Sequence, residues 1–315
     1  MKKVLLGKTG IEVSPLCFGV LPLGPLQKNL PLPVGAQLIR QGLERGINFL
    51  DTAESYKTYP YIKEALTGFA GEVVISSKSM AVSYEDMEKA VREAVEVLDR
   101  SYVDIFHLHA ARVDGKVFEE RGGALRCLQD MKHKGLIRAV GVATHVVEVV
   151  ELAAERDDID VVFPIINQAG LGILGGSRDD MVQAIMKAHQ AGKGIMAMKA
   201  LAGGHLIDRL KEAFAFVRSI PGISAVAVGM VDNRELDLNI KLFNNEDITL
   251  PPGGERKDEK RLFVSVFCKG CATCIEACPN GALSVVEGKA QVNHDICLLC
   301  GYCSPVCPEF ALRVI

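Results

Sequence analysis

The sequence predicts an α/β fold, a (β/α)8 TIM barrel with an N-terminal hairpin, followed by a small α+β domain rich in cysteine. Short runs of Val, Ile and Leu alternate with longer amphipathic segments over roughly 230 residues, which favours a closed barrel of eight strands and eight helices. No G-x-G-x-x-G follows the first run, which counts against an open dinucleotide-binding sheet. Eight of the ten cysteines lie beyond residue 267, which sets the C-terminal end apart.

The barrel strands are predicted where apolar runs are short and nearly continuous, as in strands buried on both faces. They are Leu16–Val20, Ile47–Asp51, Val73–Lys78, Val103–His109, Ile137–Ala143, Val161–Ile166, Ile195–Lys199 and Ala225–Gly229. Residues 2–14 predict a hairpin, because the turn-forming stretch Gly7-Lys8-Thr9-Gly10 separates two apolar runs. The clearest helix runs from Ser83 to Arg100, where Ser83 and Asp86 have the spacing of a capping box.

The composition divides the chain into three parts. We expect a barrel over residues 1–243, a linker over 244–261 and a cysteine-rich domain over 262–315. The linker is polar and contains Pro251-Pro252-Gly253-Gly254, followed by a charge run from Glu255 to Arg261. This composition is typical of a solvated hinge.

The two cysteine runs share the spacing C-x2-C-x2-C-x3-C-P of bacterial ferredoxins. In that pattern the fourth Cys of each run ligates the cluster of the other run. We therefore expect a ferredoxin-like domain with two [4Fe–4S] clusters. One is predicted to be held by Cys268, Cys271, Cys274 and Cys307, and the other by Cys297, Cys300, Cys303 and Cys278. Zinc ribbons lack the third Cys and the Cys-Pro pair, and a disulfide framework does not fit a long chain without a signal peptide.

The charge balance excludes several classes of partner. The net charge of −3 gives no indication of nucleic-acid or anionic-membrane binding. No apolar run reaches the length of a membrane span, and the N-terminus lacks the apolar stretch of a signal peptide. Exposed iron–sulfur clusters need a reducing compartment. We therefore expect a cytoplasmic protein with no nucleic-acid or membrane partner.

Polar and ionisable residues stand at the predicted C-terminal ends of the strands, where barrel active sites lie. They are Asp51 with Tyr56 just beyond it, Lys78, His109, Thr144 with His145, Asn167 with Gln168, and Lys199. Four of these ionisable groups stand on three neighbouring strands and are all expected to face the barrel mouth, which is more than packing requires. They are Asp51, Tyr56, Lys78 and His109. His107 alternates onto the same face as His109 but one layer deeper, so we expect it to be a core histidine.

Four stretches resemble the aldo/keto reductase superfamily and occur in the family's order. They are Gly46–Tyr56, Val74–Lys78, Asp104–His109 and Ile137–Val142. The hairpin is similar to the one that closes the barrel bottom in that family, and the tail is similar to that of its iron–sulfur branch. The resemblance covers roughly residues 1–243. It implies that Tyr56 exchanges a proton with the substrate, that Lys78 and Asp51 tune its acidity, and that His109 orients a carbonyl oxygen.

The resemblance also implies a nicotinamide cofactor, NADP(H) or NAD(H). The residues expected to hold it are Thr144, Asn167, Lys199, Gly203, Gly229, Arg234 and Asn239. The family's usual contacts are only partly kept, because Ala143, Phe163 and Met198 replace a Ser, a Gln and a stacking Tyr. An inward Arg234 would favour NADPH, whereas an inward Glu235 would favour NADH. The chain has no Trp, so the expected aromatic residues near the substrate are Tyr56, Phe18, Tyr59 and Tyr61.

Electron counting leaves three hypotheses, because nicotinamide moves two electrons together and each cluster moves one. The favoured hypothesis is an NAD(P)H-linked reductase or dehydrogenase for a small carbonyl or alcohol, whose clusters relay single electrons with a ferredoxin or other redox partner. A flavin- or ferredoxin-dependent reductase that does not use nicotinamide is the first alternative. A non-catalytic electron-transfer subunit that keeps the barrel as a scaffold is the second, and the intact residue set of the barrel mouth argues against it.

Overall fold

The computed structural model describes residues 1–248, 261–266, 268–304, 306–309 and 311–314. A hairpin of β1 (Val4–Leu5) and β2 (Glu12–Val13) precedes eight parallel strands that close into a barrel. The barrel strands are β3 (Leu16–Gly19), β4 (Phe49–Asp51), β5 (Val74–Ser79), β6 (Val103–Ala110), β7 (Ile137–Thr144), β8 (Val161–Pro164), β9 (Gly194–Met198) and β10 (Ile223–Gly229). The predicted (β/α)8 barrel is confirmed, and each predicted strand is present.

The barrel strands are buried on both faces, as their continuous apolar character predicts. All eight residues of β6 are buried. Residues that point into the barrel, such as Phe49 and Phe163, form an inner hydrophobic cluster. Leu6 and Ile11 of the hairpin belong to the same cluster, so the hairpin packs against the barrel interior. A larger cluster fills the layer between the strands and the surrounding helices.

Nine helices of the described residues follow barrel strands along the chain, and a tenth lies in the C-terminal domain. They are α1 (Leu32–Glu44), α2 (Tyr59–Leu66), α3 (Tyr84–Val97), α4 (Val117–Glu120), α5 (Gly122–His133), α6 (Val147–Ala154), α7 (Arg178–Gln190), α8 (Leu210–Ser219), α9 (Asn233–Phe243) and α10 (Thr273–Glu276). At the start of α3, the Ser83 hydroxyl accepts a hydrogen bond from the Asp86 N–H at 3.1 Å, as its sequence pattern predicts. Among the described helices, none combines the length and the apolarity needed to cross a membrane.

The C-terminal domain is a small α+β unit, as predicted. Strand β11 (Leu262–Val264) pairs with β14 (Leu312–Val314), and β12 (Leu283–Val286) pairs with β13 (Lys289–Val292), both antiparallel. The core of this unit includes six cysteines beside its aliphatic residues. The predicted hinge sequence Pro251-Pro252-Gly253-Gly254 and most of the charge run lie outside the described residues.

Candidate active site and cluster sites

A buried ion pair forms the floor of the site. Strands β4 and β5 are hydrogen-bonded neighbours, which brings Asp51 at the end of β4 next to Lys78 on β5. The Lys78 Nζ lies 2.8 Å from both carboxylate oxygens of Asp51 and 2.7 Å from the carbonyl oxygen of Thr52. Only 2% of the Lys78 side chain is exposed. Each of the three N–H donors of the ammonium therefore has an acceptor, which is what burying this charge requires.

Tyr56 lies on a 3-10 turn, Glu54–Tyr56, just beyond β4. Its ring centroid is 5.0 Å from the Lys78 ammonium nitrogen. Burial raises the pKa of Tyr56 well above its usual value, and the neighbouring Tyr302 and Asp51 raise it further. The Lys78 donors are directed at Asp51 and Thr52, and the ammonium lies over the Tyr56 ring. Tyr56 is therefore a neutral phenol that holds its proton.

His109 lies near the end of β6, with its ring edge facing Tyr56 at a centroid distance of 6.0 Å. Burial lowers the pKa of His109 well below its usual value, and the Lys78 charge lowers it further, so the ring is neutral. His107 lies deeper, with Nε2 3.0 Å from the Ser76 hydroxyl and its ring 5.6 Å from that of Phe163. His107 is thus packed in the barrel interior, where we expected a core histidine.

A residue of the C-terminal domain completes the site. The hydroxyl of Tyr302 lies 2.9 Å from His109 Nε2 and 3.4 Å from the Tyr56 hydroxyl. Sequence reasoning missed Tyr302, because it stands between Cys300 and Cys303, where the cysteine spacing alone accounts for the loop. The one signal that could have found it is an aromatic residue inside that loop, in a chain with six tyrosines.

The segment 297–303, which we call the mouth loop, is fixed to the barrel by polar contacts of the residues that precede Tyr302. Gln27 Nε2 donates to the Leu299 carbonyl oxygen at 3.0 Å, and His205 Nε2 lies 3.0 Å from the Cys297 carbonyl oxygen. Arg112 donates a further hydrogen bond to the carbonyl oxygen of Glu276 in the cluster domain.

The mouth loop also packs against the barrel through a hydrophobic contact. Leu298 is 3% exposed and belongs to the large hydrophobic cluster of the barrel. Three residues that we expected near the substrate belong to that same cluster instead, where they lie in the layer between strands and helices. They are Phe18, Tyr59 and Tyr61.

The cysteines of the tail fall into two groups. Burial raises the pKa of the Cys303 thiol, and Cys300, Cys278 and Cys297 raise it further. These four cysteines line one cavity. In the other group, burial raises the pKa of the Cys274 thiol, and a backbone hydrogen bond partly opposes this. The nearby Cys268, Cys307 and Cys271 raise the pKa of Cys274 further. The fourth Cys of each run therefore lies with the other run, which fits the crossed ligation that we predicted.

The surroundings of the cysteine sulfurs suit thiolate ligands. All ten cysteines are free thiols, so the structure contains no disulfide framework. Within the described ranges, no set of three or more His, Cys, Asp or Glu side chains is arranged to hold a single metal ion. Backbone N–H groups point at several sulfurs, for example Ala282 N to Cys278 Sγ at 3.2 Å and Ala311 N to Cys307 Sγ at 3.3 Å. Such donors stabilise a thiolate, which is the form that binds iron.

Replacing Cys278 by Ala is expected to remove the cluster of Cys297, Cys300 and Cys303 and to lower the iron content by about half. Iron and sulfide analysis of anaerobically purified protein measures this. Cys271→Ala is expected to remove the other cluster, so the two variants should retain different EPR signals in the reduced state. Cys127→Ala, in the hydrophobic core of the barrel, is the matched control and should keep all the iron. The same retained signal in both ligand variants would contradict the crossed assignment.

Comparison with known proteins places the barrel in a family. The model of the aldo/keto reductase family matches residues 15–243, which is most of the chain. The chain belongs to the aldo/keto reductase family. A second model, for a 4Fe-4S dicluster domain, matches residues 267–311. This aldo/keto reductase therefore carries a C-terminal iron–sulfur domain of ferredoxin type.

Individual relatives match one domain or the other. The chain is 24% identical to L-galactose dehydrogenase of Arabidopsis thaliana over 216 residues, which are 65% of this chain and 66% of that protein. It is 38% identical over 58 residues to one component of an ion-translocating oxidoreductase complex of Methanosarcina acetivorans, covering 18% of this chain and 22% of that component. The chain thus spans less than two thirds of the length of each relative.

Solved structures agree on the barrel. The crystal structure of PA4992 from Pseudomonas aeruginosa, described as an aldo-keto reductase, superposes with a TM-score of 0.66 at 25% identity. It covers 77% of this chain and 95% of that one. The holo form of the aldo-keto reductase AKR11C1 from Bacillus halodurans has the same TM-score at 19% identity, covering 79% of this chain and 93% of that one. The second match shows the fold alone.

The residues expected to grip nicotinamide are engaged within this aldo/keto reductase. The Asn167 amide donates to the Leu171 carbonyl at 2.9 Å and accepts from the Leu171 N–H at 3.0 Å. The Thr144 hydroxyl accepts from the Val146 N–H at 3.0 Å. Asn167 therefore closes its own loop with one of its two N–H donors, and the Thr144 hydroxyl oxygen is used as an acceptor.

The mouth loop covers two further cofactor candidates. Gly203 has a φ of +69°, and a Cβ placed on it would lie 2.5 Å from the Leu298 carbonyl oxygen. The Lys199 ammonium lies 5.7 Å from the Tyr302 ring centroid. The backbone at Gly203, which we expected to help hold the nicotinamide cofactor, is thus in contact with the cluster domain.

The outer candidates lie at the end of β10 and on α9, and the buried Asn239 Oδ1 has no hydrogen-bond partner among the described residues. A Cβ on Gly229 would lie 2.4 Å from Pro22 Cγ. The Glu235 carboxylate accepts from the Val231 N–H at 2.8 Å, and Asn239 Nδ2 donates to the Glu235 carbonyl at 2.8 Å. Several groups of the expected set thus hold loops or contact the cluster domain, and their assignment to a nicotinamide dinucleotide stays a prediction. The choice between Arg234 and Glu235 as a phosphate selector stays a prediction.

Proposed function

We propose that this protein interconverts a small carbonyl compound and its alcohol, with Tyr56 exchanging the proton on the substrate oxygen. The observation that carries the proposal is the geometry of four residues at the barrel mouth. They are Asp51, Tyr56, Lys78 and His109, and we call them the tetrad. The Tyr56 ring lies beside an ammonium that is fixed by three acceptors, and a neutral imidazole lies across from it. Burying a charged ammonium costs free energy, and such charges cluster at functional sites, which supports a catalytic role for Lys78.

Tyr56, Lys78 and Asp51 each have a role that follows from their contacts. Reduction of a carbonyl takes up two electrons from the electron donor and two protons: one proton, taken from water, ends on carbon, and the other ends on oxygen. Tyr56 is a buried phenol at the mouth and can give that proton. As negative charge develops on its oxygen, the Lys78 ammonium stabilises it, while Asp51 holds the ammonium in place. In the direction of alcohol oxidation the same groups take the proton back.

The substrate class follows from the wall beside Tyr56. Leu26 and Ala53 form a buried apolar cluster with Tyr56, against which Leu21 and Tyr302 pack. An apolar wall next to two hydroxyls favours an aldehyde or ketone with an alkyl or aryl substituent. The domains we assign to this work are residues 1–243 for the carbonyl chemistry and 262–315 for the clusters, with 244–261 as linker.

The clusters fit the cysteine groups of the tail, Cys268, Cys271, Cys274 and Cys307 on one side and Cys278, Cys297, Cys300 and Cys303 on the other. When bound, they supply or accept electrons one at a time. The partner that we propose is a small electron carrier of ferredoxin type, in the reducing environment of the cytoplasm. An NAD(P)H-linked reaction is the second candidate, favoured by the family to which the barrel belongs, and a bound flavin is the third.

A donor comparison tests the proposal. Anaerobic, cluster-loaded protein is incubated with a panel of aldehydes and ketones and with reduced ferredoxin, NADPH or NADH, and the alcohol is measured by chromatography. We expect alcohol with reduced ferredoxin and less with either nicotinamide, because the expected nicotinamide contacts are engaged. Equal or faster turnover with NADPH would favour the second candidate. Flavin fluorescence released on denaturation would favour the third. No alcohol with any donor would overturn the proposal.

A further inference from the structure

The Tyr302 hydroxyl lies where the substrate oxygen was expected to meet His109. Of the two ring nitrogens of His109, Nε2 contacts Tyr302 at 2.9 Å, and Nδ1 is buried without a hydrogen-bond partner among the described residues. The nitrogen that faces the mouth is therefore occupied by a phenol from the cluster domain. His109 cannot contact a substrate oxygen through Nε2 while Tyr302 is in place.

The contacts of the mouth loop make Tyr302 a permanent part of the site. The loop is held by Gln27 and His205, and Leu298 fills a space next to Gly172 and Gly203 in the barrel. Withdrawing the loop would expose the Leu298 side chain and break both hydrogen bonds. Tyr302 thus follows directly on a stretch of loop that is fixed to the barrel, and its own hydroxyl contacts His109, as in a preorganised residue of an active site.

We propose that Tyr302 belongs to the carbonyl site, where it and Tyr56 hydrogen-bond the same substrate oxygen and His109 positions Tyr302. This inference rests on the proposed function. The two hydroxyls are 3.4 Å apart. An oxygen about 2.8 Å from each fits that separation, which is the arrangement of two donors at an oxyanion. Tyr56 gives the proton, and Tyr302 supplies the second hydrogen bond.

The hydrogen-bond directions agree with this role. A neutral imidazole carries one N–H, and a proton on Nε2 is paired by the Tyr302 oxygen. The Tyr302 hydroxyl then accepts a hydrogen bond from His109 Nε2 and can donate its own proton in a hydrogen bond to the substrate oxygen. The Tyr302 hydroxyl, and not His109 itself, thus presents a hydrogen-bond donor to the substrate, next to the apolar wall of Leu26 and Ala53. The substrate oxygen is accordingly held between one residue of the barrel and one residue of a cluster ligand loop.

The test removes the Tyr302 hydroxyl and keeps the ring. Tyr302→Phe is expected to lower kcat for carbonyl reduction by about 10²-fold, with a smaller change in KM, because the lost hydrogen bond strengthens as charge develops on oxygen. Tyr84→Phe is the matched control, since that hydroxyl bonds Asp130 on an exposed helix surface. Iron content and the EPR signals of the reduced clusters should be unchanged in both variants.

A second measurement reads the hydrogen bond without turnover. Acetophenone labelled with ¹³C at the carbonyl is added to oxidised protein with no electron donor, and the bound carbonyl resonance is recorded by NMR. Hydrogen bonding to the oxygen moves this resonance downfield. We expect the downfield shift of the wild type to be reduced in Tyr302→Phe and in Tyr56→Phe, and to be retained in Tyr84→Phe.

The outcomes separate this inference from the proposed function. Equal kcat and an equal carbonyl shift in Tyr302→Phe and wild type would overturn the role of Tyr302 and leave the proposed function standing. If the wild type reduces no carbonyl and binds none of the labelled ketone, both are overturned. A fall in iron content in Tyr302→Phe would assign the residue to the stability of the cluster loop, and an unchanged carbonyl shift in that protein would then reject the substrate contact.

Discussion

Replacing Tyr56 by Phe is expected to lower kcat for carbonyl reduction by about 10²–10⁴-fold, the range that a positioned general acid contributes. The variant keeps the ring that packs beside the Lys78 ammonium and against Leu26 and Ala53, and loses only the hydroxyl. The proton on the substrate oxygen would then have to come from a water molecule that is not held in place. Initial rates with the donor that supports the wild type give kcat and KM, and kcat should carry most of the loss.

Tyr61→Phe is the matched control for this prediction. Its hydroxyl is also hydrogen-bonded, donating to the Leu30 carbonyl at 2.6 Å, but its ring packs in the layer between strands and helices. Turnover by this variant should stay close to that of the wild type. If Tyr56→Phe retains turnover within a few-fold of wild type, with its clusters intact, another group supplies the proton and the assignment of Tyr56 is wrong.

The barrel could be predicted from the sequence because its strands carry a strong local pattern. A strand buried on both faces needs apolar residues throughout, and runs such as Val103–His109 have no other simple explanation. The ends were less certain. Strand β8 ends at Pro164, two residues before the predicted end, because Ile165 makes only an isolated bridge to Met198.

Part of the site was also predictable, because it follows from strand ends. Asp51 and Lys78 end up together since parallel neighbouring strands meet at one edge of the barrel. The contact of His109 was not predictable in the same way. Its partner Tyr302 is 193 residues away and belongs to a different domain. The cysteine spacing accounted for the loop around Tyr302 so completely that it hid a second role for the loop.

The cofactor residues show a further limit of sequence reasoning. Asn167 has the chemistry to bind a carboxamide, and only the structure shows that its amide is used by Leu171, four residues on. Gly203 has the freedom to present its N–H to a phosphate, and only the structure shows Leu298 against it. Residue type sets what a group can bind. The competing contacts, which include distant parts of the chain, decide whether it is free to do so.

Replacing Lys78 by Met is expected to destabilise the fold by about 3–5 kcal/mol, because it leaves the Asp51 carboxylate buried without its partner. Carbonyl turnover should be lost as well, since the charge beside Tyr56 is gone. The free energy of unfolding is measured by denaturant titration, with protein fluorescence as the probe and cluster absorbance as a second one. A loss of turnover without a loss of stability would mean that Asp51 is well solvated or paired in another way.

The pH dependence and a double variant separate the two effects. In the wild type, burial raises the pKa of Asp51 above 3.8, and the charge and hydrogen bonds of Lys78 oppose that shift. Lys78→Met removes the opposing causes, so the folded variant holds a proton on Asp51 to higher pH than the unfolded chain does. Its stability should therefore fall as the pH rises above about 4 and level off once the folded carboxyl has ionised. The double variant Asp51→Asn with Lys78→Met has no charge to bury, so it should regain stability, lose this pH dependence and remain inactive. Recovery of turnover in the double variant would show that the ion pair serves the fold and not the chemistry at Tyr56.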